Sequence, residues 1–373
     1  MEMDNARGAK DDILRHVLGF EDRVSSFSTD GGGSNLAFAL PVIPLRRNEP
    51  RPVQVRDFDP RSMIAVGITQ DKHARGSKIE QNSLLILCQS RQAFDSHYAD
   101  EAIRRARGEA RKVMIGQVRR RVGRAVGASG PNSLGIGRSI GHRKITAGTL
   151  GCFVDRGGAG GVCILSNNHV LANVNAARLG DVILSPGRFD GGRDPDHRCA
   201  TLTSFVPINL DGVTANSVDC AVASVISDDY DPKTLVDPAD GSPFGELKAT
   251  VNTELRTGMR VRKIGRTTGL TEGEIVAIEV DNVRVAMDAN GFGRTALFNS
   301  QILIASRSSQ FSKGGDSGSV IFDEHHQPAA LLFAGSEKRF STSHGDTTSE
   351  FAGSTFANPM DLVLSGLNCT IFG

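Results

Sequence analysis

Lys313-Gly314-Gly315-Asp316-Ser317-Gly318-Ser319 sets a serine in a glycine-flanked turn, just before the apolar run Val320-Ile321-Phe322. Glycines on both sides let the backbone fold sharply and expose its amides to an approaching group. A serine hydroxyl is a poor nucleophile until a neighbouring base takes its proton, and a third group must hold that base in one tautomer. The oxygen that turns negative needs fixed donors, such as backbone N–H groups. Taken alone, the stretch also reads as a plain hairpin turn. What accompanies it elsewhere in the chain decides between the two.

A base is offered by Ile164-Leu165-Ser166-Asn167-Asn168-His169-Val170-Leu171, an apolar strand ending in a polar turn that carries a histidine. A lone histidine at a strand end commonly does no more than bond a backbone group. Of the nine histidines, however, only His169 follows such a strand and precedes Ser317 at a domain-scale distance. His325 and His326 sit in the polar turn Asp323-Glu324-His325-His326-Gln327-Pro328 and read as solvated. The orienting acid is Asp219, which opens the small and apolar run Cys220-Ala221-Val222-Ala223. An aspartate at a strand mouth is half buried while its carboxylate reaches an imidazole N–H. Asp190, Asp194, Asp196 and Asp211 lie in turn-rich loops, where aspartate bonds its own backbone, and none starts a core-like strand.

With these three segments in place, the chain resembles the chymotrypsin-like serine peptidases, whose nucleophile sits in G-D-S-G. The order His169, Asp219, Ser317 is that family's order, unlike the subtilisin or α/β-hydrolase orders. The resemblance implies a mainly β fold of two antiparallel β-barrels, the first two residues in one barrel and the serine in the next. It also implies that the N–H groups of Gly315 and Ser317 form an oxyanion hole. Lys263-Ile264-Gly265-Arg266-Thr267-Thr268-Gly269-Leu270 is similar to a turn early in the second barrel of bacterial members, and reads here as structural. The likeness extends to intracellular trypsin-like proteins related to the plant Narrow Leaf 1 group and its bacterial relatives. The segments that carry it are 145–152, 165–172, 265–270, 315–318 and 331–336. The expected activity is that of a serine endopeptidase acting through an acyl-enzyme. A weakly active or inactive peptidase-fold adaptor that binds a partner protein is the alternative, and a peptidase held latent by its N-terminal region is a third possibility.

By the same resemblance, Phe311 lies at the floor of the first specificity pocket with Ser312 beside it. No aspartate stands there to pair a substrate lysine or arginine, so cleavage after basic residues is not expected. Ala334, Gly335 and Ser336 would be the strand edge that pairs with an extended substrate.

The remainder of the sequence frames these assignments. Hydrophobic residues at 39% and charged residues at 23% describe a globular chain, and 42 glycines point to many tight turns. From about Ile145 onward, short apolar runs alternate with Gly, Asn and Asp, the pattern of a sandwich or barrel. The peptidase unit is therefore set at 145–373, with a first barrel over about 145–245 and a second over about 246–365. A smaller α+β region, 1–144, precedes it. There Asp11 to Val24 reads as an amphipathic helix, and Asp30 to Ser34 as a glycine-rich loop. The runs from Met63 and Leu84 read as strands joined by a hairpin-like connection, and Ile103 to Val118 as a helix or a helix giving way to a strand near Lys112. A linker is expected between Gly127 and Gly141.

A net charge of +1 names no polyanionic partner. Residues 101–125 carry nine Arg or Lys against two Glu, but no interleaved aromatics, which argues for a solvated face or an interdomain contact over nucleic acid. The start MEMDNARGAKDDILRHV has no positive region followed by an apolar core, and the apolar stretch Leu36 to Leu45 is broken by two prolines. No membrane partner is expected, and a cytoplasmic location with six reduced cysteines is. His197 and Cys199 make poor metal-ligand spacing, so no metal and no cofactor are expected. The expected partner is a protein or peptide substrate, with a homo-oligomer left open.

Overall fold

The computed structural model describes residues 1–20, 59–70, 81–120, 134–157, 161–237, 240–287, 294–306, 310–336, 340–342, 345–347 and 353–373. The glycine-rich loop 30–34 and the expected linker residues 127–133 lie outside them.

The N-terminal region is built around two strands buried on both faces. Helix α1 (Met3–His16) presents Ala6, Lys10 and Ile13 on one buried stripe. Asp4 in its first turn and Arg15 and His16 in its last complement the helix dipole. The helix starts earlier than the pattern from Asp11 predicts. Strands β1 (Ile64–Gln70) and β2 (Asn82–Cys88) pair antiparallel in full register, Val66 opposite Ile86. A crossover through α2 (Arg91–Phe94) and α3 (His97–Arg105) returns the chain to β3 (Ala110–Met114), parallel to β2. Thus a helix does give way to a strand before Lys112. Successive residues point to opposite faces of a strand. Ile64, Val66, Ile68, Leu84 and Ile86 accordingly pack with Ile13, Ala99 and Ala102, while Ala65, Leu85 and Leu87 pack with Phe333 and Phe356. Next comes the two-residue strand β4 (Val118–Arg119).

The following half forms a curled sheet. Its strands are β6 (Ser139–His142), β7 (Gly148–Thr149), β8 (Cys152–Asp155), β9 (Val162–Ser166), β10 (Val182–Leu184), β11 (Arg198–Phe205) and β13 (Ala221–Val225), and the short strands β5 (Leu134–Gly135) and β12 (Ala215–Asn216) lie outside it. The hydrogen-bonded order is β8-β9-β13-β11-β10-β6-β7. Residues 148–155 bring its two ends together, since β7 pairs with β6 and β8 with β9. The boundary expected at 144/145 falls between β6 and β7, within this sheet. Short pairs follow: β14 (Tyr230–Asp231) with β5, and β15 (Thr234–Val236) with β16 (Pro243–Glu246).

The last part closes a six-stranded barrel. Its strands are β17 (Arg260–Gly265), the long β18 (Gly269–Asp281), β21 (Gln301–Ala305), β22 (Val320–Phe322), β23 (Pro328–Ser336) and β26 (Thr355–Pro359), while β19 (Val283–Ala286) pairs with β20 (Thr295–Phe298) and β24 (Phe340–Thr342) with β25 (Gly345–Thr347). Pairing runs β17-β18-β21-β26-β23-β22 and back to β17. Helix α5 (Met360–Leu367) then carries the chain back to β27 (Thr370–Ile371), which pairs with β8. The fold is mainly β with little helix.

The N-terminal region is not a separate layer. Strand β1 pairs antiparallel with β18, so the barrel sheet runs on through β2 and β3. Gly67 makes the approach possible: a Cβ there would stand 2.8 Å from Val280 Cγ2 and 3.2 Å from the Ala277 Cβ.

Candidate active site

Strand β9 ends at Ser166, and one helical turn, α4 (Asn168–Leu171), carries His169. The buried Asn167 side chain donates to the Asp219 carbonyl at 2.8 Å, pinning that turn to the start of β13. His169 then meets Asp219 twice. Its backbone N–H donates to Oδ1 at 3.2 Å, and its Nδ1 lies 2.6 Å from Oδ2. Asp219 is 0% exposed and His169 4%. An ionised carboxylate only accepts, so Nδ1 carries the proton and Nε2 of the neutral ring keeps its lone pair. That Nε2 is buried and has no hydrogen-bond partner among the described residues. Asp219 is held from the barrel side as well, because its N–H donates to Asn358 Oδ1 at 3.0 Å. Asn358 donates in turn to Gln301, and Gln301 to the Ser217 carbonyl.

Ser317 lies in a tight turn before β22. Asp316 N–H donates to the Lys313 carbonyl, Ser319 N–H to the Asp316 carbonyl and Gly318 N–H to the Leu332 carbonyl. Both glycines are required here. Gly315 has φ +97°, and Gly318 has φ +93° with a virtual Cβ only 2.0 Å from Ser166 Oγ. In the same turn the N–H groups of Gly315 and Ser317 have no protein acceptor among the described residues. These are the two donors that the resemblance implies for an oxyanion hole.

One residue that the sequence left without a role links the two halves of this site. Thr149, fully buried, donates its N–H to the Ser317 carbonyl at 2.8 Å and its hydroxyl to the Gly315 carbonyl at 2.8 Å. Its own carbonyl accepts from Ser166 Oγ at 2.8 Å, three residues before His169. The histidine strand and the serine turn therefore rest on one threonine. No hydrogen bond joins Ser317 Oγ to His169 Nε2. The hydroxyl instead donates to the Phe333 carbonyl at 3.4 Å, a long and weak bond.

Asp316 shows what the Thr-Thr-Gly turn is for. Its Oδ1 accepts from the N–H groups of Thr267 (2.9 Å) and Thr268 (3.2 Å), and its Oδ2 from Thr268 Oγ1 (2.8 Å) and the Lys313 N–H (2.8 Å). Lys263, also fully buried, places its Nζ 3.7 Å from Oδ2. Burial pushes the Lys263 ammonium below its ordinary value, and the Asp316 charge opposes that shift. Period-2 alternation between the buried Val261 and Gly265 puts Lys263 on the inward face of β17, and this was the available signal. Arg266 is a second buried cation. Its Nε stands 3.2 Å from Asp190 Oδ2, and its guanidinium packs against the Gly315 turn.

The expected specificity residues are enclosed. Phe311 is 1% exposed and packs on Gly273, with the Lys263 Nζ 5.9 Å from its ring centre. Ser312 and Thr355 share a 2.6 Å hydroxyl contact in the interior. Ala334 and Ser336 are buried too, and the edge at Gly335 and Ser336 is already paired with Arg119 and Val118 of β4. All six cysteines are free thiols. Burial pushes Cys88 and Cys199 up to about 12 and Cys369 to about 11, which leaves them unreactive near neutrality.

A family model described as Peptidase family S64 matches residues 214–342, a stretch that holds Asp219 and Ser317. No curated protein matches the chain. Among solved structures, the chain is similar to Cellulomonas bogoriensis chymotrypsin at 16% identity and a TM-score of 0.39, over 64% of this chain and 99% of that one. It is similar to Thermobifida fusca protease A at 18% identity and a TM-score of 0.40, over 64% and 100%. For Nocardiopsis protease the values are 15% and 0.41, over 64% and 100%.

Proposed function

We propose that this protein hydrolyses peptide bonds with Ser317 as nucleophile, His169 as base and Asp219 as the residue that orients the base. The observation that carries this reading is the buried His169–Asp219 pair with Nε2 left unbonded, held through Thr149 to the turn of Ser317. Ser317 Oγ attacks the substrate carbonyl carbon while Nε2 takes its proton. The resulting oxyanion is received by the free N–H groups of Gly315 and Ser317. The imidazolium, stabilised by Asp219, returns the proton to the leaving amine, and water then releases the acyl group by the same path in reverse. For the first step the Ser317 hydroxyl must turn from the Phe333 carbonyl to Nε2. Catalytic hydrogen bonds of this kind often tighten only when substrate is present. We take cleavage to be internal to protein or peptide substrates, and keep the Narrow Leaf 1-like group as the nearer resemblance.

One observation favours a second reading, an adaptor that binds a partner and cleaves little: the strand edge meant for substrate is filled. Cleavage profiling of a peptide library with the wild type and Ser317→Ala separates the two. The peptidase reading expects products from the wild type alone. Identical profiles from both proteins would end it.

A further inference from the structure

The occupant of the β23 edge comes from the chain itself, and its direction is informative. Strand β4 runs antiparallel to β23, Val118 opposite Ser336 and Arg119 opposite Gly335. Passing along β4 from Val118 to Arg119 therefore means passing along β23 from Ser336 toward Phe333. Phe333 is the residue whose carbonyl holds the Ser317 hydroxyl. A substrate strand adding antiparallel to this edge, with its reacting carbonyl at Ser317, follows the same line in the same sense. Arg119 stands where the backbone of that substrate, a few residues before the scissile bond, has to pair.

The strand is also held on its other side. Val118 and Arg119 pair parallel with Val285 and Ala286 of β19, and the Arg120 N–H donates to the Ala286 carbonyl at 3.3 Å. Val118 is 0% exposed and packs in one cluster with Phe333, Val285 and Phe298. Two ladders and a buried valine make β4 a built part of the sheet. From the other direction, β1, β2 and β3 anchor it through their own continuity with the barrel.

We propose that β4 is a built-in occupant of the substrate cleft, so that the N-terminal region keeps the enzyme closed to extended peptides until β4 leaves. This rests on the peptidase reading and specifies its regulation. It separates two kinds of serine-directed reagent. A small alkyl fluorophosphonate needs only the activated hydroxyl, whereas a reagent carrying four residues before its phosphorus needs the β23 edge.

The test labels full-length protein with an alkyl fluorophosphonate and, separately, with a panel of tetrapeptidyl diphenyl phosphonates, reading the mass added at Ser317. Arg119→Pro removes one N–H from the β4 ladder. It should speed tetrapeptidyl labelling by about tenfold or more, as the competent fraction rises, and leave fluorophosphonate labelling as it was. Should that variant fail to fold, hydrogen exchange on the wild type gives the same answer: peptides spanning 117–120 should lose protection when the tetrapeptidyl reagent reacts and keep it with the small one. Tetrapeptidyl labelling of the wild type as fast as of Arg119→Pro, with 117–120 still protected, would overturn the proposal. Silence from both reagents would instead sink the peptidase reading, and the proposal with it.

Discussion

Asp219 does two things for His169 at once. Its Oδ2 fixes the ring tautomer and its Oδ1 holds the backbone N–H of the same residue. Asp219→Asn presents a donor to Nδ1 and should lower kcat by about 10⁴-fold, while Ser317→Ala should remove about 10⁶-fold. Thr149 is a positioning residue, touching no substrate but holding the carbonyls of Gly315 and Ser317. Thr149→Val keeps the shape and deletes the bond to Gly315. It should cut kcat by about 10- to 100-fold with little change in KM, since an oxyanion donor acts mainly in the transition state. Thr149→Ser should restore most of the rate. A loss confined to thermal stability, with kcat intact, would leave Thr149 a packing residue only. Lys263 and Asp316 are a fully buried pair. Lys263→Met would strand the carboxylate and should cost about 3–5 kcal/mol, read from urea unfolding. A loss within about 0.5 kcal/mol, the range of a surface change, would show that the threonine cradle alone carries Asp316.

At the scale of elements, what was legible in the sequence divides by how local its cause is. The turn at Gly315 to Gly318, the strand before His169 and the run after Asp219 carry their signals within a few residues, and each is found where its pattern puts it. Strand β4 had no such signal. Two residues cannot show a period, and its pairing is set by partners more than 160 positions away in sequence. The first-barrel strand β6 was read as part of a linker because glycine and serine surround it, yet Ile140 and His142 are buried by neighbours distant in sequence. Helix α1 is likewise fixed by remote groups. Arg7 Nε donates to Glu279 Oε1 at 3.0 Å, and the Lys10 Nζ lies 2.8 Å from Asp281 Oδ2. Burial raises the Glu279 carboxyl, but the Arg7 hydrogen bond and the Lys10 and Arg7 charges outweigh it and hold it below the usual carboxylate value. A depressed folded value contributes stability above the unfolded value, and that contribution is lost as pH falls through the folded one. Protection factors over residues 3–16, taken relative to the intrinsic exchange rate at each pH, should therefore fall on acidification in the wild type, and less steeply in Glu279→Gln. Identical pH profiles for the two would remove Glu279 from that role.

Across the whole molecule, the division expected at residue 145 gives way to a shared sheet. One half places Asp219 on His169, the other supplies the serine turn, and the N-terminal strands extend the second barrel and reach the cleft. Gly67 is a tight point of that fusion, and Gly67→Ala should cost about 1–3 kcal/mol by overpacking against Val280. An unchanged denaturation midpoint would mean that β1 and β18 separate without resistance. Peptide-bond hydrolysis by this protein requires that His169 make Ser317 reactive. Mass spectrometry of full-length protein treated with an alkyl fluorophosphonate tests this most directly. Ser317 should carry the label in the wild type and lose nearly all of it in His169→Ala. Equal labelling of Ser317 in both proteins, or none in the wild type, would contradict it.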